Sequence, residues 1–128
     1  MSVRVVRLGT PRLPREGTRI GTVRRPPRGV PKAQFSTQNW YDVWFPTLAP
    51  SVVTLKLGQA ASTASQWASF AKKYKAEMTA PEARRSLELL AVLSQTTDFS
   101  VGCYCLDEDR CHRSILKQLL VEYGAKVE

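Results

Sequence analysis

The chain has 128 residues, with 19 Lys and Arg against 11 Asp and Glu, for a net charge of +8. A chain of this length can bury one real core without disulfide staples, so one domain is expected. No apolar run approaches the ~20 residues a membrane helix requires. The N-terminus, MSVRVVRLGT, has arginines where a secretory signal would have its apolar core. A cytoplasmic protein without a membrane partner is expected, and its oligomeric state is left open.

Val3–Leu8 is valine-rich and reads as a strand. Gly9 to Gly17, with its prolines and glycines, reads as a loop, and Thr18–Arg24 as a second strand. These two strands could form a hairpin with a long tip, or be neighbours in one sheet. RRPPRGVP (24–31) follows; its prolines fix φ and remove amide donors, which makes a stiff irregular loop. Trp40, Tyr41, Trp44 and Phe45 crowd the next segment. A short helix between Thr37 and Phe45, stopped by Pro46, fits them, and Thr47–Gly58 is ambiguous.

Ser62–Met78 reads as a helix with Trp67, Phe70, Ala71, Tyr74 and Met78 on one stripe. Thr79 opens the next helix, with Glu82 completing a capping box and Pro81 in the first turn. Its stripe is Ala83, Leu87, Leu90, Ala91 and Ser94, widened by Leu89 and Leu93. FSVGCYC (99–105) reads as a buried strand with Phe99, Val101, Cys103 and Cys105 on one face. Leu106–Asp109 is a tight acidic loop. A last helix starts near Arg110 with Asp109 as N-cap, and its stripe is His112, Ile115, Leu116, Leu119, Leu120 and Tyr123. Gly124 ends it, and Ala125–Glu128 starts an edge strand. Two helices before the 99–105 strand and one after it imply an α/β layer fold: a small, partly parallel sheet flanked by helices.

The charge is unevenly placed. Arg4, Arg7, Arg12, Arg15, Arg19, Arg24, Arg25, Arg28 and Lys32 all precede residue 33, against the single Glu16. Arginine favours planar, bidentate contacts with anions. The functional reading is an anionic partner: a phosphate-bearing small molecule, a nucleotide or a nucleic acid. The structural alternative is a solvated basic face with some arginines paired to acids downstream.

CYCLDEDRCHRS (103–114) holds all three cysteines and the only histidine. A strand, short loop and helix make the geometry of anion sites in open α/β sheets. In the first helical turn, Cys111 would feel free amides and the helix dipole, which favour thiolate. His112 and Arg113 are adjacent, whereas Asp107, Glu108 and Asp109 would oppose both effects. Cys103, Cys105, Cys111 and His112 also form a Cys3His set of zinc-type ligands. Their spacing is poor for it, because adjacent residues on a helix point about 100° apart. The plainest alternative makes Cys103 and Cys105 small buried hydrophobes and His112 a hydrogen-bonded core residue.

Five blocks in order, RLGTPR (7–12), EGTRIGTVRRPPRGVPK (16–32), WYDVWFPTLAPS (40–51), WASFAKKYKAEM (67–78) and VGCYCLDEDRCHRSIL (101–116), resemble the YeaO-like family, domain of unknown function 488. That family usually shows valine-aspartate-arginine-leucine-tryptophan-proline-arginine-glycine after its second strand. Here Arg25, Arg28 and Gly29 match, Arg24 replaces the aspartate and the tryptophan is missing, as in a double-proline form. The resemblance implies a compact α/β fold and a cytoplasmic protein. It also implies that Cys111, His112 and Arg113 are a recurring feature, and it supplies no substrate.

The favoured expectation is an enzyme or binding domain for a phosphate-bearing anion. Its site would have Cys111 as nucleophile or redox thiol, His112 as proton shuttle and Arg113 beside them. Ser114 would complete the turn. Arg7, Arg25 and Arg28 would reach in from the loops, and Tyr104, Tyr41 or Trp44 would stack a base. No cofactor is needed for this reading, with zinc as the alternative. A nucleic-acid-binding module built on the basic loops and the aromatic block is the second class, and a partner-binding structural domain the third.

Overall fold

The computed structural model describes all residues from Met1 to Glu128. Four strands, β1 (Val3–Arg7), β2 (Thr18–Gly21), β3 (Val43–Trp44) and β4 (Phe99–Cys103), form one sheet in the order β1-β4-β2-β3, and every pairing is parallel. Four helices complete the α/β fold: α1 (Val52–Ala60), α2 (Ala64–Glu77), α3 (Pro81–Leu93) and α4 (His112–Glu122).

β4 is buried at all five residues and takes a central place, paired to β1 on one side and β2 on the other. A strand buried on both faces belongs between neighbours and under helices. This rules out the hairpin expected of β1 and β2, because the last strand in the chain lies between them. Val101 pairs with both Val5 and Ile20. The edge strand expected at 125–128 reduces to a parallel bridge of Val127 with Val3, held by Val3 N–H to Lys126 O and Glu128 N–H to Val3 O, both 2.9 Å.

The segment 37–45 is a strand end where a helix was expected. Asn39 takes a left-handed φ of 65°, which breaks any helix there. Asp42 then accepts the Arg19 backbone N–H at 2.8 Å and is held by Arg12 and Ser36. These bonds lay Val43 and Trp44 extended along β2. Gly21 is needed at this point, because a Cβ there would run into the Tyr41 ring. The ambiguous stretch after Pro46 becomes a short 3-10 turn, Pro46–Leu48, and then α1, capped by Ser51.

α2 begins with a capping box between Thr63 and Gln66. The box expected at Thr79 and Glu82 does not form. Ala80 occupies the N-cap of α3 with no side-chain bond, and the Thr79 hydroxyl instead donates to Ala76 O at 2.6 Å. Pro81 at the first position sets φ for the helix without a cap. The α3 stripe is buried as expected at Ala83, Leu87, Leu90 and Ala91, while Leu89 and Leu93 face outward. The main core joins Leu48, Phe70, Tyr74, Leu87, Val101 and Leu116. A smaller cluster of Leu8, Val23, Tyr41, Cys103 and Cys111 lies past the carboxyl ends of the strands. That end of a parallel sheet is where ligands bind in open α/β folds.

Candidate functional site

Two cavities flank residues 103–105 at this end of the sheet. The first measures about 540 Å³ and is walled by the end of β1, the turn at Gly9–Thr10, the proline loop 25–28, Trp40 and Tyr104. It gathers Arg7, Arg25, Arg28 and Tyr104, and no acidic residue lines it. Gly9 turns at φ 90°, and a Cβ there would stand 2.8 Å from the Trp40 ring, so glycine lets the indole lie across the turn. Tyr104 straps the cleft: its hydroxyl donates to Arg25 O at 2.9 Å, and its own carbonyl accepts the Arg7 Nε–H at 3.3 Å. Trp40 meets Tyr104 edge-on at 5.9 Å, and its buried Nε1–H has no partner. None of the three cleft arginines forms an ion pair with a carboxylate.

Four other arginines of the N-terminal third are occupied, while Arg15 is exposed and unpaired. Arg19 is fully buried and bidentate on Glu16, at 2.6 and 2.9 Å, with further bonds to Thr10 O and Asn39 O. Arg24 donates to the carbonyls of Pro46, Ala49 and Pro50. Arg12 pairs with Asp42 at 2.8 Å and Arg4 with Glu128 at 3.2 Å.

The aromatic block does not form one platform. Tyr41 is buried, Phe45 packs on the main core, Trp40 walls the cleft, and Trp44 is the exposed member, with its Nε1–H on Val23 O.

The second cavity, about 430 Å³, opens on Cys105, Arg110, Cys111 and His112, with Trp67 and Phe70 opposite. Cys111 and His112 therefore line a different cavity from the cleft arginines, divided from it by the chain at Tyr104, and Arg113 lines neither. Tyr104 lines the first, and its neighbour Cys105 lines the second. Ser114 lines neither and donates to Cys111 O at 2.9 Å.

Asp107 caps a 3-10 turn at Glu108–Arg110 by accepting the Asp109 N–H. Cys111 then resets the backbone to φ −131°, ψ 148° and serves as N-cap of α4, which begins at His112. Asp109 is therefore not the cap; the 3-10 turn uses up the residues ahead of the helix. Because Cys111 lies outside the helix, the Cys111 and His112 side chains are not held 100° apart, and Cys111 Sγ stands 3.9 Å from His112 Nδ1. Cys103 Sγ is 3.6 Å from Cys105 Sγ. The ligand atoms of Cys103, Cys111 and His112 lie within 4.8 Å of one another, close enough to hold a metal ion. His112 Nε2 lies 2.7 Å from Thr22 O. A carbonyl only accepts, so Nε2 carries the proton and Nδ1 presents its lone pair to the sulfurs.

The three thiols share protons unequally. The neighbouring thiols of Cys103 and Cys111 pull Cys105 down to about 3 against burial, with the charges of His112 and Arg113 helping. Donation to Cys105 pushes Cys103 up to about 11. The neighbouring sulfurs of Cys103 and Cys105, together with burial, raise Cys111 well above an ordinary thiol. Burial takes His112 down to about 4. The group favoured as thiolate is therefore Cys105, and not the Cys111 that the helix dipole suggested, because the neighbouring sulfurs and burial outweigh the dipole.

Trp40, expected only as part of a nucleic-acid platform, walls the cleft, and Gly9 and Thr10 were not anticipated as ligand contacts. A Gly-Thr turn directly after β1 was the available signal, since such turns end parallel strands at ligand sites. No curated protein and no solved structure matches the chain. The model of DUF488-N3a, described as the active DUF488-N3 subclade, matches residues 3–124. With that match spanning nearly the whole sequence, and with the Cys-His-Arg turn and arginine loop inside it, the chain belongs to the DUF488-N3a family.

Proposed function

We propose that the protein binds a phosphate-bearing anion of nucleotide size in the arginine cleft. The observation that carries this reading is the convergence of Arg7, Arg25 and Arg28, none paired with an acid, on one cavity without acidic lining. Guanidinium forks suit phosphate oxygens, and a rigid proline loop presents them at little entropic cost. The volume lies within the range of small-molecule sites. Trp40 and Tyr104 offer ring surface to a base. We place the protein in the cytoplasm, and within its family in a YeaO-like branch marked by Pro26 and Pro27. The description of the family as active favours an enzyme over a pure binding module. Cys111, His112 and Arg113 would then be its chemical turn, separated from the anion by Tyr104.

A second reading concerns the cofactor. The convergence of Cys103, Cys111 and His112 favours zinc at this turn over a nucleophilic Cys111, whose thiol is buried.

The cleft is tested by calorimetric titration of pyrophosphate and ADP at low ionic strength. Saturable binding is expected, weakening with salt. Arg25→Ala with Arg28→Ala should weaken it about ten-fold or more at unchanged melting temperature. If neither probe binds, or the double variant binds as well as the parent, the cleft is not the anion site.

A further inference from the structure

We infer that the cysteine cluster is a closed, four-ligand zinc site of Cys103, Cys105, Cys111 and His112, with Arg113 as its charge partner. This rests on the zinc reading above and deepens it, by naming the fourth ligand, the neutralising residue and the role that follows from them.

A tetrahedral zinc with Zn–S near 2.3 Å holds neighbouring sulfurs about 3.8 Å apart, and a sulfur and a nitrogen slightly closer. The Cys103–Cys105 and Cys111–His112 separations of 3.6 and 3.9 Å are of that size. The ligands come from three places: the end of β4, the residue just past the strand, and the N-cap and first residue of α4. The extended backbone at Cys111 is what lets adjacent Cys and His converge. Thr22 O fixes the His112 ring with Nδ1 toward the sulfurs, the outer-sphere arrangement of ligating histidines. Cys105 touches Cys103 at 3.6 Å, stands outside the 4.8 Å group and faces the second cavity, so metal binding would draw it in as the fourth ligand.

Arg113 supplies the independent observation. It is 5% exposed, its Nε–H has no hydrogen-bond partner, and it pairs with no carboxylate. A buried guanidinium Nε–H without an acceptor is costly, more so with no anion beside it. Three thiolates and a neutral imidazole around Zn²⁺ carry a net charge of −1, which is the missing anion. With four protein ligands the metal has no open position, so its role is to tie the end of β4 to the start of α4.

The test uses the full chain, purified under reducing conditions. Elemental analysis should give one zinc per chain, released only by a strong chelator together with thiol exposure. Cobalt substitution should give tetrahedral bands and thiolate charge transfer. Cys105→Ser should lower that charge transfer in proportion to one lost thiolate and weaken zinc about ten-fold or more, while Cys105→His retains the metal. Arg113→Gln should weaken zinc by about ten-fold and Arg113→Lys by less. Absence of zinc from the wild-type chain, and failure to take up cobalt, would end the zinc reading itself. One zinc per chain, with a cobalt spectrum and affinity unchanged in Cys105→Ser, would leave zinc in place and overturn the four-ligand centre. The wild-type chelation measurement stands even if a variant fails to fold.

Discussion

Arg19 and Arg28 stand nine positions apart in the same basic segment, yet they do opposite things. Arg19 has no exposed surface and every part of its guanidinium is engaged: Glu16 on one edge, backbone carbonyls on the other. Arg28 sits on the rim of a cleft with no acid beside it. Between these extremes lie Arg24, bonded only to carbonyls, and Arg12, on a half-exposed carboxylate. The difference teaches that the same residue type builds the site in one place and serves it in another. The partner decides which: a buried arginine with an internal anion belongs to the fold, and one without an internal anion is available to a ligand.

The largest effect expected from breaking this contrast is at Arg19. Arg19→Ala leaves Glu16 ionised and buried, and should cost about 3–5 kcal/mol, read by urea denaturation. Glu16→Leu with Arg19→Met should cost less than the sum of the single changes, because neither charge is then stranded. A loss for Arg19→Ala within that of an exposed arginine would sink the distinction.

Acid should act through the same pair. Burial tends to raise the Glu16 carboxyl, but hydrogen bonds from Arg19, Leu13 and Ser100 and the Arg19 charge hold it below its ordinary 4.5. The folded state therefore favours the carboxylate, and the stabilisation is present in full above the unfolded value. As pH falls below about 4.5, the unfolded chain takes up the proton first and this contribution drains away toward the depressed folded value. Melting temperature against pH should be flatter over that window when Glu16→Leu and Arg19→Met are combined than in the parent. Equal slopes would mean that other carboxylates, such as Asp42 and Glu77, govern acid stability.

Arg24→Ala should come next, at about 1–3 kcal/mol, since it strips three carbonyls of their donor. Arg12→Ala should cost about 0–1 kcal/mol. Arg25→Ala and Arg28→Ala should lie within about ±0.5 kcal/mol of the parent, with their effect confined to anion binding. A strongly destabilising Arg28→Ala would place that residue with Arg19 and remove it from the cleft.

Much of the site was legible in the chain as residue types. The proline loop marked Arg25 and Arg28 as rigidly presented, and alternation marked β4 as buried. What could not be read was the partition. Tyr104 and Cys105 are adjacent, and only the end of β4 directs one into the arginine cleft and the other into the sulfur cluster. Likewise the cap of α4 turned on a 3-10 turn whose bonds are local but compete with the helix start.

The sequence by itself determined the helices α2, α3 and α4, the buried β4, the stiff loop and the concentration of sulfur with one imidazole. Those follow from periodicity, turn chemistry and composition, which are properties of neighbouring residues. The tertiary structure alone decided that β4 separates β1 from β2, that residues 43–44 pair as a strand, that Arg19 rather than Arg28 meets Glu16, and that Cys111 and His112 face Cys103. Most of these depend on contacts between residues distant in the chain; the Glu16–Arg19 pair is local, but its burial under Thr10, Asn39 and Ser100 is not. Their outcome is set by which surfaces must be buried together, and no local pattern records it.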